Sequence, residues 1–159
     1  MQIATVGVYG WTLERFLAAL HDAGVRVVLD VRQRRGVRGP EYAWANSLRL
    51  QTALEQDGLE YRHHKKLAPT TELRHLQYAE DARQDVGKRS RVDLAPAYRE
   101  RYGREILDRV DLDELVRELR DAGLAALMCV ERDPEACHRS LIAQRLAAEY
   151  GVSTLHLRP

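Results

Sequence analysis

The sequence predicts an α/β protein in which helices cover both faces of a mainly parallel sheet of about five strands. Short apolar segments rich in β-branched residues alternate with helical patterns along the 159 residues. Two of the apolar segments, residues 25–31 and 124–130, are apolar almost throughout, which is typical of parallel strands covered on both faces. The predicted strands and helices alternate without internal repeats or a linker, which indicates a three-layer fold in one domain over residues 1–159.

The strands are recognised by short apolar runs that end at glycine or polar residues. The third run alternates apolar and polar residues, which predicts a more exposed strand than the others. Strands are predicted over residues 3–8, 25–31, 59–63, 124–130 and 152–157.

Capping and terminating residues predict where the helices lie. Thr12 precedes apolar residues at helical spacing and Gly24 follows them, whereas Asp111 and Glu114 form a capping-box pattern. Helices are predicted from Thr12 to Gly24, over residues 47–56, from Thr71 to Ala82, over residues 96–107, from Asp111 to Gly123 and from Asp133 to about Tyr150. Those within residues 69–109 form a helical insertion before the fourth strand.

The segment after the fourth strand carries the most reactive groups. Asp133 followed by Pro134 is a strong helix start. Cys137 would then lie near the end of the first helical turn, where the helix dipole lowers a thiol pKa. His138 and Arg139 follow directly, and successive helical residues point in different directions, so the three side chains cannot all face one ligand.

Polar residues also follow the other strands. Asp30 and Arg32 follow the second strand, His63 ends the third, and Tyr9 follows the first. Ligands of parallel sheets bind beyond the carboxyl ends of the strands, so these groups are expected to meet at one edge. Asp30 and Arg32 lean to the same face; they either serve a ligand or pair with each other or with Arg139 to fix the loop.

The net charge of +1 conceals an uneven distribution. Residues 32–66 carry +4 and residues 105–159 carry −4, and the densest basic run lies at Arg32–Arg38. With Tyr42 and Trp44 nearby, this run suits a nucleic-acid backbone with aromatic stacking, or it is a solvated loop balanced by the acidic last third.

Three segments resemble a known protein family. They are Thr5–Gly7, Asp30–Arg32 and the block from Cys129 to Ala143, of which the last is the most specific. They resemble the family catalogued as domain of unknown function 488 (DUF 488) over most of the chain. The resemblance implies a Rossmann-like fold and places the site, but implies no reaction. Residues 8–9 and 64–69 depart from the common family pattern.

Three functional hypotheses follow. The first is the binding, or processing, of a phosphate-bearing ligand such as a nucleotide or a nucleic-acid end at the sheet edge. The second is a thiol-based enzyme or redox sensor that uses Cys137, with His138 or His156 as base. The third is a non-enzymatic module that binds nucleic acid or a protein through the Arg32–Arg38 loop. The candidate catalytic residues are Asp30, Glu131, Cys137 and His138, and the candidate ligand-binding residues are Tyr9, Arg32, Arg34, Arg35, His63 and Arg139.

Other classes of function are disfavoured. Cys129 and Cys137 are too few for a disulfide framework, and without a second close Cys/His pair they do not form a zinc signature, so no metal site is predicted. No apolar stretch is long enough for a membrane span and the start has no signal-peptide pattern, so a cytoplasmic location is expected. The sequence identifies no cofactor.

Overall fold

The computed structural model describes residues 1–159, which form a sheet of five strands and six α-helices. The strands are β1 (Gln2–Val6), β2 (Val27–Asp30), β3 (Glu60–His63), β4 (Ala125–Met128) and β5 (Ser153–Leu157). The helices are α1 (Leu13–Asp22), α2 (Ser47–Gln56), α3 (Thr71–Arg83), α4 (Pro96–Glu105), α5 (Leu112–Asp121) and α6 (His138–Tyr150). The predicted α/β class is confirmed.

All strands are parallel, and their order across the sheet is β3-β2-β4-β1-β5. β2 and β4 are buried along their whole length because they lie inside the sheet and are covered on both faces. β3 lies at an edge and is half-buried, as its alternating sequence predicts.

The two faces of the sheet carry separate apolar cores, which gives the three predicted layers. On one face, Val28 of β2 joins Phe16 of α1 and Leu50 of α2. On the other face, Leu29 of β2 belongs to the core that includes residues of α4, α5 and α6, among them Ile142. Neighbouring residues of β2 thus point into different cores, as strand geometry requires.

The insertion between β3 and β4 packs as a wall beside the carboxyl edge of the sheet. Tyr102 of α4 is fully buried, and its hydroxyl donates a hydrogen bond of 2.6 Å to the carbonyl oxygen of Leu67. Arg91, in the loop between α3 and α4, forms a buried ion pair of 2.6 Å with Asp81 of α3. These contacts fix the loop that carries Lys88 to Arg91 above the end of β4.

The predicted helix from Asp133 is wrong in its start. Residues Pro134–Ala136 form a short 3-10 turn, Cys137 is extended with φ −141° and ψ 145°, and α6 begins only at His138. Asp133 does not cap a helix, because its carboxylate accepts a hydrogen bond of 3.0 Å from Arg158. The break is stabilised by the ring of His138, which is hydrogen-bonded to the carbonyl oxygen of Val31, the residue after β2.

The remaining boundaries agree with the prediction to within a few residues. Thr12 and Asp111 cap α1 and α5 through side-chain oxygens, as expected. α3 is capped by Thr70 and not by Thr71, because the hydroxyl of Thr70 accepts the hydrogen bond from the Leu73 amide. No helix combines the length and the apolar surface needed to cross a bilayer.

Candidate functional site

The candidate site lies where β2 and β4 end side by side. The chain leaving β2 leads to α2 on one face of the sheet, whereas the chain leaving β4 leads to α6 on the other, so a crevice opens between the two ends. A cavity of about 50 Å³ occupies this crevice. Its floor includes Cys129, Glu131, Cys137 and His138.

The ring of His138 lies between the two thiols and the end of β2. Its Nε2–H donates a hydrogen bond of 2.9 Å to the carbonyl oxygen of Val31. In the neutral ring this bond leaves the lone pair on Nδ1, which is 3.8 Å from the Sγ atoms of both Cys129 and Cys137. His138 is therefore oriented to accept a proton from either thiol.

The surroundings favour the thiolate at Cys137. Burial raises the pKa of the Cys137 thiol, but the neighbouring Cys129 thiol and the positive charges of His138 and Arg139 outweigh it, and the pKa lies well below its usual range. For His138, burial lowers the pKa, but the charge of Cys137 and the hydrogen bond with it outweigh this and raise the pKa above its usual value. The two groups therefore stabilise each other as a thiolate and an imidazolium.

At Cys129 and Glu131, by contrast, the surroundings favour the protonated form. Burial, together with the neighbouring Cys137, raises the pKa of the Cys129 thiol well above its usual range. Burial also raises the pKa of Glu131, whose Oε2 accepts a hydrogen bond from the Cys129 thiol at 3.5 Å. Arg91 approaches the other oxygen of Glu131 at 3.5 Å. Cys129 thus remains protonated beside a carboxyl group that can exchange a proton with it.

Asp30 and Arg32 pair with each other at the end of β2. Arg32 Nε donates to Asp30 Oδ1 at 2.9 Å and Nη2 donates to Oδ2 at 2.7 Å. Nη1 donates to the carbonyl oxygen of Ala45 at 2.9 Å, and both side chains are almost completely buried. The hydroxyl of Tyr61 donates a further bond of 2.7 Å to Asp30. Of the two roles considered for this pair, the geometry favours fixing the loop.

The side chains of Arg139 and His63 also form hydrogen bonds to backbone carbonyl oxygens. Arg139 is fully buried and does not line the cavity; its Nη1 donates to the carbonyl oxygen of Glu131 at 2.6 Å and its Nη2 to that of Arg132 at 3.0 Å. His63 Nε2 donates to the carbonyl oxygen of Arg32 at 2.9 Å. Their direct contact with a ligand stays a prediction, and their contacts within the protein shape the loops around the cavity.

The other predicted residues are spread around the cavity. Arg34 lines it and forms no ion pair, whereas Arg35 donates to the hydroxyl of Tyr61 at 3.3 Å. Tyr9 packs against Tyr42, with ring centroids 5.1 Å apart. His156 lies on β5, where its Nδ1 is bonded to the Thr5 hydroxyl at 2.7 Å, so His138 is the base beside Cys137.

A wide basic groove adjoins the cavity and was missed by the sequence analysis. It has a volume of about 1090 Å³, and no carboxylate lines it. Arg34 and Arg38 come from the loop after β2, whereas Arg74, Lys88 and Arg89 come from the insertion. The signal in the sequence is the pair Lys88-Arg89, which lies between two predicted helices of the insertion.

Three donor atoms near the cavity could hold a metal ion. The Sγ atoms of Cys129 and Cys137 and a ring nitrogen of His138 lie within 4.8 Å of one another, and such donors suit zinc. Arg34 and Lys88 line the same cavity without forming ion pairs, and their positive charge disfavours a resident cation. The arrangement is better suited to attracting an anion toward a thiolate.

Comparisons with known proteins identify the family. A search of curated proteins and a search of solved structures found no match. One family model, described as a domain of unknown function, matches residues 12–146. This range contains two of the three segments on which the resemblance was based, Asp30–Arg32 and the block from Cys129 to Ala143, whereas Thr5–Gly7 lies before it. The chain therefore belongs to the DUF488 family.

Proposed function

We propose that the protein binds a phosphate-bearing ligand, such as a nucleotide or a nucleic-acid end, in the basic groove. The observation that carries the proposal is the lining of the groove, in which five Lys and Arg side chains meet without a carboxylate. Such a surface concentrates anions and gives phosphate oxygens several charged donors.

The individual side chains that line the groove support this proposal. Arg34 and Lys88 line both the groove and the cavity and form no ion pair, so their charges are available to a ligand. Burial lowers the pKa of Lys88, but the negative charge of Glu131 outweighs this effect and the pKa is raised, so Lys88 stays charged. A phosphate held between Arg34 and Lys88 would stand at the entrance to the cavity that contains Cys137.

Aromatic side chains beside these cations fit the remainder of a nucleotide. Tyr9 and Tyr78 line the groove. Arg89 lies over the rings of both Tyr9 and Tyr42 at 5.1 Å from each centroid and is paired with Glu41. It thus ties the insertion to the loop after β1 and forms one side of the groove. A base could stack on Tyr78, since stacking on an aromatic ring tolerates any base.

The test is a calorimetric titration of the protein with short oligonucleotides and nucleotides, each with and without a terminal phosphate. Arg34→Ala and Lys88→Ala are each expected to weaken binding by about tenfold, because each removes a charged hydrogen-bond donor. Arg49→Ala is the matched control, since Arg49 is an exposed arginine of α2 outside the groove. Equal affinity for the phosphorylated and dephosphorylated ligands would contradict the proposal.

The salt dependence of the same titration separates a single phosphate from a nucleic-acid backbone. A ligand that binds through one phosphate releases few counterions, so its affinity depends weakly on salt concentration. A nucleic-acid backbone that binds along the whole groove gives a steep dependence of affinity on salt concentration. A steep dependence that disappears on removal of Arg34 and Arg38 and survives Cys137→Ser would favour the non-enzymatic nucleic-acid module. Only these two arginines of the Arg32–Arg38 loop line the groove.

A second candidate function is thiol chemistry at Cys137, and one observation favours it. Cys137 is the N-cap residue of α6 and faces a cavity, and its sulfur is 3.8 Å from the Nδ1 atom of an oriented histidine. This is the arrangement of an activated nucleophile and its base. The rate of iodoacetamide labelling tests it, with Cys137→Ser reporting the reactivity of Cys129 alone. Labelling of Cys137 no faster than that of an ordinary free thiol at neutral pH would refute this function.

A further inference from the structure

We propose that Cys129 and Cys137 form a redox-active dithiol, in which a hydroperoxide oxidises Cys137 and Cys129 then closes a disulfide with it. The proposal rests on the thiol chemistry suggested for Cys137 and adds a role for Cys129, which the sequence analysis left without one. It does not depend on the ligand of the basic groove.

The first support is the position of the two sulfurs. Cys129 follows β4 and Cys137 precedes α6, so the polypeptide folds back between them and brings both side chains to one cavity. Their Sγ atoms lie within 4.8 Å of each other, and both are buried. Closure of a disulfide requires the side chains to turn so that the two sulfurs approach from this separation to about 2.05 Å.

The second support is the difference between the two thiols. Cys137 faces the imidazole of His138 and lies at the N-terminus of α6, so it is the sulfur that attacks. The thiol of Cys129 donates to Glu131, which is buried and adjacent, so its proton has an acceptor when the second step needs it. One dithiol thus contains an attacking sulfur and a resolving sulfur with separate proton partners.

The third support is the size and surroundings of the cavity. Its volume of about 50 Å³ is sufficient for a molecule of a few atoms, such as hydrogen peroxide. Arg34 and Lys88 line it without forming ion pairs, and their positive charges stabilise the hydroxide that leaves the hydroperoxide. The positive charge that disfavours a resident metal ion therefore favours this reaction.

The reaction balances in two steps. The Cys137 thiolate attacks one oxygen of the hydroperoxide; an S–O bond forms, the O–O bond breaks, and the released alkoxide or hydroxide takes the proton of the His138 imidazolium to leave as alcohol or water. Cys137 is then a sulfenic acid. Cys129 next attacks the sulfenic sulfur and gives its proton to Glu131; an S–S bond forms, the S–O bond breaks, and the departing hydroxide takes that proton from Glu131 to leave as water. Two thiols lose two electrons and the hydroperoxide gains them.

The experiment treats the full-length reduced protein with one equivalent of hydrogen peroxide, followed by alkylation and tryptic digestion. Trypsin cleaves after Arg120, Arg132 and Arg139, so the disulfide joins peptide 121–132 to peptide 133–139. We expect this linked pair as the main oxidised product, and its disappearance after treatment with a dithiol reductant. In Cys129→Ser, trapping with dimedone is expected to yield about tenfold more sulfenic acid at Cys137 than in the wild type.

Several outcomes would overturn the proposal. One is sulfinic acid at Cys137 in the wild type without the linked peptides, and another is a disulfide between two chains on a non-reducing gel. Because the wild-type digest needs no substitution, a Cys129 variant that fails to fold does not affect the conclusion. Rapid alkylation of Cys137 without the linked peptides would leave the thiol function standing while refuting the dithiol, and slow alkylation would refute both.

Discussion

Gly7 offers the sharpest test of how the candidate site is held, because it leaves no room for a side chain. Its φ lies outside the left-handed region, so its backbone suits any residue and only space restricts the position. A Cβ atom there would lie 1.8 Å from the carbonyl oxygen and 2.7 Å from the carbonyl carbon of Glu131. Ordinary contact begins at 3.4 Å, so Gly7→Ala forces the loop after β4 to retreat by about 1.6 Å.

The loss of stability can be calculated from the hydrogen bonds that this displacement lengthens. The amides of Val8 and Tyr9 both donate to the carbonyl oxygen of Val130, at 2.9 and 3.0 Å. Arg139 donates to the carbonyl oxygen of Glu131 at 2.6 Å. Two neutral bonds of about 1 kcal/mol each and one charged bond of about 2 kcal/mol give a destabilisation of about 4 kcal/mol.

The assay is urea unfolding of Gly7→Ala beside Gly103→Ala. Gly103 lies within α4, where an added Cβ would meet only the end of Arg145 at an ordinary 3.6 Å. This control is expected to be more stable than the wild type by about 1 kcal/mol, because alanine favours a helix over glycine. If Gly7→Ala unfolds within 1 kcal/mol of the wild type, the close packing of the loops after β1 and β4 is not what holds the site.

Three further predictions concern buried charges and the thiol. Arg32→Ala is expected to lower the free energy of unfolding by about 3–5 kcal/mol, since it leaves Asp30 buried without its partner; a variant as stable as the wild type in urea would refute the positioning role. Arg91→Ala is expected to cost a similar ~3–5 kcal/mol by the same measurement, because Asp81 loses its buried partner. The alkylation rate of Cys137 is expected to stay high as the pH falls below the usual range of thiols, because its pKa is lowered and the thiolate persists until that lower pKa is passed. His138→Gln removes the imidazolium and is expected to move this profile to higher pH; an unchanged profile would show that His138 does not stabilise the thiolate.

Most of the fold could be predicted because its signals are local. Apolar strands, caps such as Thr12 and stop signals such as Gly24 act within a few residues, and they place every strand and most helix boundaries. The start of α6 could not be predicted in this way. The pair Asp133-Pro134 favours a helix locally, but the hydrogen bond from His138 to Val31, which follows the distant strand β2, opposes a helical conformation at Cys137.

The candidate site was predictable in position but only partly in detail. The carboxyl-edge rule correctly brings Glu131, Cys137 and His138 into one cavity. The sequence does not reveal whether an arginine is buried in an ion pair, as Arg32 is, or free in a groove, as Arg34 is. Lys88 was not predicted, because only the packing of the insertion places it above the end of β4.

The parallel pairing of β2 with β4 has a consequence for folding. Asp30 is in register with Met128, so the seam that carries the candidate site joins parts of the chain that are far apart in sequence. Such non-local pairing has a large entropic cost of loop closure and tends to form late. Before this pairing forms, the ring of His138 lacks the Val31 carbonyl that orients it beside Cys137. The orientation of the histidine next to the thiol is thus acquired only when the segments that end β2 and β4 come together.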